Sequence, residues 1–239
     1  MADPNPYPYF RSAGRGARAG FDGGLRAYFI RVYNYMAGGL ALTGATAYVG
    51  AQSGLYASLV GTPWYWVLML APLGLVLLLG FRIQRMSLAA AQLAFWAYAG
   101  LVGLSLSGIF FVYTGESIAR VFFVTAATFA AASVYAYTTQ RDLSRFGSFL
   151  FMGLIGIVIA ALVNVFLRST ALQMTVSVMG VIVFVGLAAY DTQRLRAIYV
   201  EGEDGTIAAK KSILGALALY LDFLNLFLSL LQLLGDRRR

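Results

Sequence analysis

Residues 213–234 read ILGALALYLDFLNLFLSLLQLL, an apolar run broken only by the carboxylate of Asp222 and by Asn225, Ser229 and Gln232. A helix of that length covers about 33 Å, enough for a hydrocarbon core of about 30 Å. Gly215, Ala218, Asp222, Asn225, Ser229 and Gln232 recur at steps of three and four, which puts them on one helical face. The other faces are almost wholly Leu, Phe, Ile and Ala. Lipid penalises such a polar stripe, so the helix must turn it toward a bundle interior, with Asp222 near mid-membrane. A carboxylate there is costly unless it is protonated, paired or hydrated.

Working back from this run, six more apolar segments emerge, at about Tyr28–Gly50, Trp64–Phe81, Leu88–Tyr113, Ile118–Thr138, Gly147–Leu167 and Leu172–Tyr190. They are apolar all round and rich in Ala, Leu and Gly, without the period-two alternation of a membrane barrel, so they are expected to be helices. With 60% hydrophobic and 12% charged residues, the 239-residue chain has too little polar surface for a soluble domain. The expected fold is therefore all-α, a polytopic membrane protein of seven transmembrane helices.

Charge orients the bundle. Arg11, Arg15, Arg18 and Arg26 in the tail, Arg82 and Arg85, Arg141 and Arg145, and Arg194, Arg196, Lys210 and Lys211 all fall on one side of seven crossings. The positive-inside rule makes that side cytoplasmic. Residues 1–26, with Pro4, Pro6, Pro8 and several glycines, are expected to be a disordered basic cytoplasmic tail, 27–235 the membrane domain, and 236–239 a short basic C-terminal tail. Seven crossings send Arg237, Arg238 and Arg239 outside, against the same rule. The alternative is a re-entrant segment that keeps both termini in the cytoplasm.

The chain has no Cys and no His, which excludes disulfides, thiolate or imidazole metal centres and Ser-His-Asp catalysis. Any proton switch must rest on carboxylates. The net charge of +8 is explained by the cytoplasmic loops, so no nucleic-acid partner is expected. In the sixth run, Gln173, Ser177, Gly180, Phe184, Leu187, Asp191 and Arg194 share a face. Asp191 lies toward the cytoplasmic end, where a plain interfacial pair with Arg194 is the simpler reading. If Asp191 and Asp222 face one another, their repulsion makes them a proton-sensitive pair, and two carboxylates can also hold Ca²⁺. Contact between them requires a helix offset or a bend near Gly180 or Gly186. Glu116 reads as a solvated loop acid or helix-start charge, Arg31 and Asn34 as residues snorkelling to the surface, and Arg82 as an orientation charge that could instead reach a carboxylate.

Around the two aspartates, Ala189-Tyr190-Asp191-Thr192-Gln193 and Ala218-Leu219-Tyr220-Leu221-Asp222-Phe223-Leu224-Asn225-Leu226-Phe227 resemble the Bax inhibitor-1 family, also called transmembrane Bax inhibitor motif proteins. Tyr113-Thr114-Gly115-Glu116-Ser117-Ile118 is similar to that family's third connection, and the resemblance extends over roughly Ala27 to Leu234. It implies a seven-helix bundle with the last helix at its centre, in a bacterial inner membrane, and a pH-sensitive calcium leak gated by the paired Asp191 and Asp222. It also implies an arginine latch on one aspartate, with Arg82 or Arg85 the matching position. Asn225, Ser229 and Glu116 are the supporting polar residues, calcium the bound or transported ion, and no other cofactor is expected. The competing function is an interaction protein that modulates a membrane protease or another membrane partner. An enzyme is not expected: there is no Gly-rich aspartyl-protease motif near Asp222, and no lysine lies within the last run to carry retinal.

Overall fold

Short polar residues start the helices where the sequence places them. Asp204 accepts from the backbone N–H groups of Thr206 and Ile207 at 2.8 and 3.2 Å, and Ser87, Thr114 and Ser169 cap three other helices in the same way. In a computed structural model that describes residues 8–238, with the side chains of 8–22 left aside, nine helices follow one another. They are α1 (Pro8–Gln52), α2 (Leu55–Leu59), α3 (Pro63–Arg82), α4 (Leu88–Leu106), α5 (Ile109–Val112), α6 (Gly115–Thr138), α7 (Ser144–Leu167), α8 (Thr170–Ala197) and α9 (Gly205–Leu234). Helix α1 begins inside the stretch expected to be a disordered tail, and Leu25 is already buried in the core. Residues 1–7 and Arg239 lie outside the described residues.

Six helices are long and apolar enough to cross a membrane, where seven were expected: Pro63–Arg85, Leu88–Val112, Gly115–Thr138, Ser144–Leu167, Thr170–Ala197 and Gly205–Leu234. The segment missing from this set is Tyr28–Gly50 of α1. Its tyrosines, Asn34, Thr43, Thr46 and four glycines dilute its apolarity. It nevertheless runs the height of the bundle. Tyr28 and Phe29 touch Tyr199 and Tyr137 at one end, and Tyr48 touches Phe110 at the other.

Helix α9 is the axis. It packs against α1, α4, α6 and α8, while α7 leans on α8 and α3 on α4. The most apolar window of α9 is 61% buried, that of α7 only 6%, so α7 presents most of its Leu, Ile and Phe side chains outward. In water such a surface would be untenable; in a bilayer it is the solvated one. Close approach of α1 to α4 depends on Gly103, where a Cβ would land on the Thr43 carbonyl and Thr46 Oγ1. Thr43 then ties three helices together, bonding the Gly39 and Ala99 carbonyls and, at 2.6 Å, the Tyr220 hydroxyl.

The two ends of the bundle are distinct. At one, Lys210 bonds the Gln84 carbonyl, Gln193 bonds Arg141 and Leu143, and Lys211 pairs with Glu203 at 2.6 Å. At the other, residues 236–238 pair along 112–114: Thr114 N–H donates to the Asp236 carbonyl, Arg238 N–H to the Val112 carbonyl, and Arg120 pairs with Asp236 at 2.8 Å. The start of α9 thus sits among the basic connections and its end beside the third connection, which opposes the re-entrant alternative for this helix.

Candidate functional site

The polar stripe of α9 meets the polar face of α8. Ser177 donates to Gln232 at 2.6 Å, and Gly180 lies so close to Ser229 that a Cβ there would strike its hydroxyl. One helical end further, Gly215 packs under Leu195. These contacts set an antiparallel register in which Asp191 is level with Ala218, one turn from Asp222. Across α8 and α9 the two carboxyls act on each other electrostatically, and both line one cavity beside the small Ala218. No bend in α8 is needed: the offset of one turn is spanned by the side chains.

Both carboxylates open on a cavity of about 500 Å³ between α7, α8 and α9. Gly147 and Ser148 of α7, Tyr190 and Arg194 of α8, and Asn225 of α9 share its wall. Asp222 is 6% exposed and its Oδ2 has no hydrogen-bond partner among the described residues. The Asn225 amide donates to the Leu221 carbonyl at 2.8 Å, which leaves its oxygen for the cavity. The cavity occupies the half of the bundle nearer the basic end. Beyond it, the Gly180–Ser229 contact and the Ser177–Gln232 bond close the α8–α9 seam.

The cation at this cavity is Arg194, which acts electrostatically on Asp191 without a direct ion pair. Arg82, at the end of α3, and Arg85, in the 3-10 turn Ile83–Arg85 that follows it, are the expected latch positions; both are exposed and line no part of this cavity. The reason is packing: α3 rests on α4, whereas the cavity lies between α7, α8 and α9. Glu116 stands exposed in the first turn of α6, remote from the acidic pair, and Ser229 is engaged with the Asn225 carbonyl and against Gly180. Arg31 and Asn34 are exposed, as expected of snorkelling residues. Sequence reasoning passed over Ser148 and Gly147, which carry no pattern of their own. Gly147 matters because a Cβ would meet the Tyr190 ring at 2.7 Å, so a side chain there would press on the cavity wall.

Among the described residues no three Asp or Glu side chains cluster, so the acidic group is a pair. With the Asn225 oxygen it offers fewer ligands than the six to eight that a closed Ca²⁺ site takes.

Residues 25–239 match the family model described as inhibitor of apoptosis-promoting Bax1. The inner membrane protein YbhL of Escherichia coli is 50% identical over 219 residues, which cover 90% of this chain and 94% of that protein. An uncharacterized protein, RP147, of Rickettsia prowazekii is 48% identical over 219 residues, 91% of this chain and 93% of the other. An uncharacterized protein of Caulobacter vibrioides is 43% identical over 230 residues, 91% of each.

Proposed function

Since the chain belongs to the Bax inhibitor-1 family, we propose that it is a pH-sensitive calcium leak of a bacterial inner membrane, in which Asp191 and Asp222 form the gate. The observation that carries this reading is that the two carboxyls come together across α8 and α9 at the wall of one cavity, with Asp222 Oδ2 buried and unpartnered among the described residues. Two negative charges at that separation in a poorly solvated site repel strongly, so the pair is held together by a shared proton or by a cation. Proton and Ca²⁺ therefore compete for one place. The scarcity of oxygen ligands favours brief occupancy over tight storage, as a permeation path requires.

Helix α1 supplies the seventh crossing in this scheme. Its residues 28–50 run from one end of the bundle to the other, and Thr43 at its middle is turned inward to Tyr220 and the Ala99 carbonyl rather than to lipid. The cavity then opens toward the cytoplasmic half, and the closed α8–α9 seam bars the outward half. Arg194 is the basic group placed to respond to the charge of Asp191.

Calcium entry into proteoliposomes, measured from mildly acidic to mildly alkaline pH for wild type, Asp191→Asn, Asp222→Asn and the double variant, tests the gate. Asp222→Asn should remove most of the pH response, and Asp191→Asn should shift it non-additively with the first change. If folded Asp222→Asn keeps the wild-type profile, or if no form conducts calcium, the gate is wrong. The protein is then better read as a modulator of a membrane protease or another membrane partner.

A further inference from the structure

Helices α1 and α6 both pack on α9 but part from one another twice along their length. Nearer the basic end they enclose a groove of about 560 Å³, walled by Phe29, Ile30, Asn34, Val134 and Tyr137 with Arg26 at its mouth. Phe29 meets the Tyr137 ring edge-on at 5.1 Å, joining the α1 and α6 walls of the groove. Arg196 stands 5.8 Å above the same ring and donates to the Tyr137 carbonyl at 3.0 Å, so a second guanidinium is fixed beside the mouth. Neither arginine pairs with a carboxylate among the described residues. The floor makes no polar demand of its own, because the Ser133 hydroxyl is already engaged by Thr192. Further along the seam, toward the opposite end, lies an apolar cavity of about 510 Å³ lined by Leu40, Phe122, Phe123 and Phe227.

We propose that this α1–α6 seam binds an anionic phospholipid of the cytoplasmic leaflet, its phosphate between Arg26 and Arg196 and an acyl chain along the groove. The order of chemistry along the seam decides the occupant: two cations that pair with no carboxylate among the described residues at the headgroup level, aromatic rings at the interface, then largely apolar walls. A soluble anion would leave the apolar part empty, and a neutral lipid would leave both guanidinium groups without a counter-charge. The site is separate from the aspartate cavity, on the other side of α9, and does not depend on the calcium reading.

The test uses the full-length protein, purified and delipidated in detergent, then exposed to phosphatidylglycerol or phosphatidylcholine with the same acyl chains. Lipid retention is read by native mass spectrometry. Wild type should retain phosphatidylglycerol over phosphatidylcholine, and Arg26→Gln and Arg196→Gln should each cut that retention by about five-fold. Ala130→Trp, which fills the groove from α6, should abolish retention of both lipids, with the thermal melt confirming that it folds. Arg145→Gln, an equally exposed arginine on α7, should change nothing. Equal retention of the two lipids overturns the proposal, as does a preference for the zwitterionic one. So does full retention by folded Ala130→Trp, or a loss in Arg145→Gln equal to that in Arg26→Gln. A dimer in light scattering that Ala130→Trp disrupts would assign the seam to a second copy of the chain instead.

Discussion

Gly103 is the point at which the place of α1 in the bundle can be tested. A Cβ at that position would fall on the Thr43 carbonyl oxygen and Thr46 Oγ1, and 3.0 Å from the Thr43 carbonyl carbon. Two of those atoms are backbone, so α1 and α4 must move apart as rigid bodies to admit a methyl group. Overpacking of this kind costs about 1–3 kcal/mol. The substitution recovers up to about 1 kcal/mol of helix propensity, because glycine is the poorer helix former. Gly103→Ala should therefore destabilise the protein by about 1–2 kcal/mol, a fall in Tm of roughly 2–8 °C for a chain of this size. Gly100→Ala, one turn earlier on α4 where nothing lies within 4 Å of the added Cβ, is the matched control and should be neutral or slightly stabilising. Both variants would be melted in the same detergent and titrated with denaturant. If Gly103→Ala lies within about 0.5 kcal/mol of Gly100→Ala, a difference too small for any backbone clash, then α1 does not sit on α4 as described.

Reporters fused after Arg239 and into the 201–211 connection should read extracytoplasmic and cytoplasmic respectively, because α9 carries the chain from the Gln84 end to the Tyr113 end; a cytoplasmic signal from both would refute the crossing by α9. Tyr220→Phe removes the 2.6 Å bond to Thr43 but leaves Thr43 its carbonyl partners, so the loss should be about 0.5–1.5 kcal/mol in a denaturant titration, and a loss of several kcal/mol would contradict it. Outside the membrane, the Ser144 hydroxyl and backbone N–H hold the Asp142 carboxyl below its usual value. A depressed native pKa means that the tie is fully present above the unfolded value of about 3.9 and is lost as pH falls through the native one. The Ser144 amide resonance should accordingly titrate only below about pH 4, and should cease to do so in Asp142→Asn; a midpoint above that would refute the contact.

What the residues determine alone follows from solvent and period. A run such as 213–234 can be satisfied only as a helix in lipid, since every backbone group must bond within the segment, and the three-and-four spacing of its polar residues already points them inward. The inward turn of the polar stripe of α9 and the gathering of basic residues at one end of the bundle were legible on those grounds, whereas the central place of α9 was implied by the family resemblance. The place of α1 was less so: its tyrosines, threonines and glycines lower its hydropathy below that of the six apolar helices, and only its bonds to α4 and α9 show how a helix of that composition packs into the bundle. Tertiary structure alone decided that Asp191 reaches Asp222. That contact depends on the register of α8 against α9, which is set by Gly180 under Ser229 and Gly215 under Leu195 and leaves no trace in either helix read singly. The same holds for the cation at the cavity. Arg82 and Arg194 are equivalent as charges on a loop map, but α3 packs outside α4 whereas Arg194 stands one turn from Asp191 on a helix that faces the axis. Spacing along a chain gives the face of a helix; which helix that face meets is a property of the packed bundle.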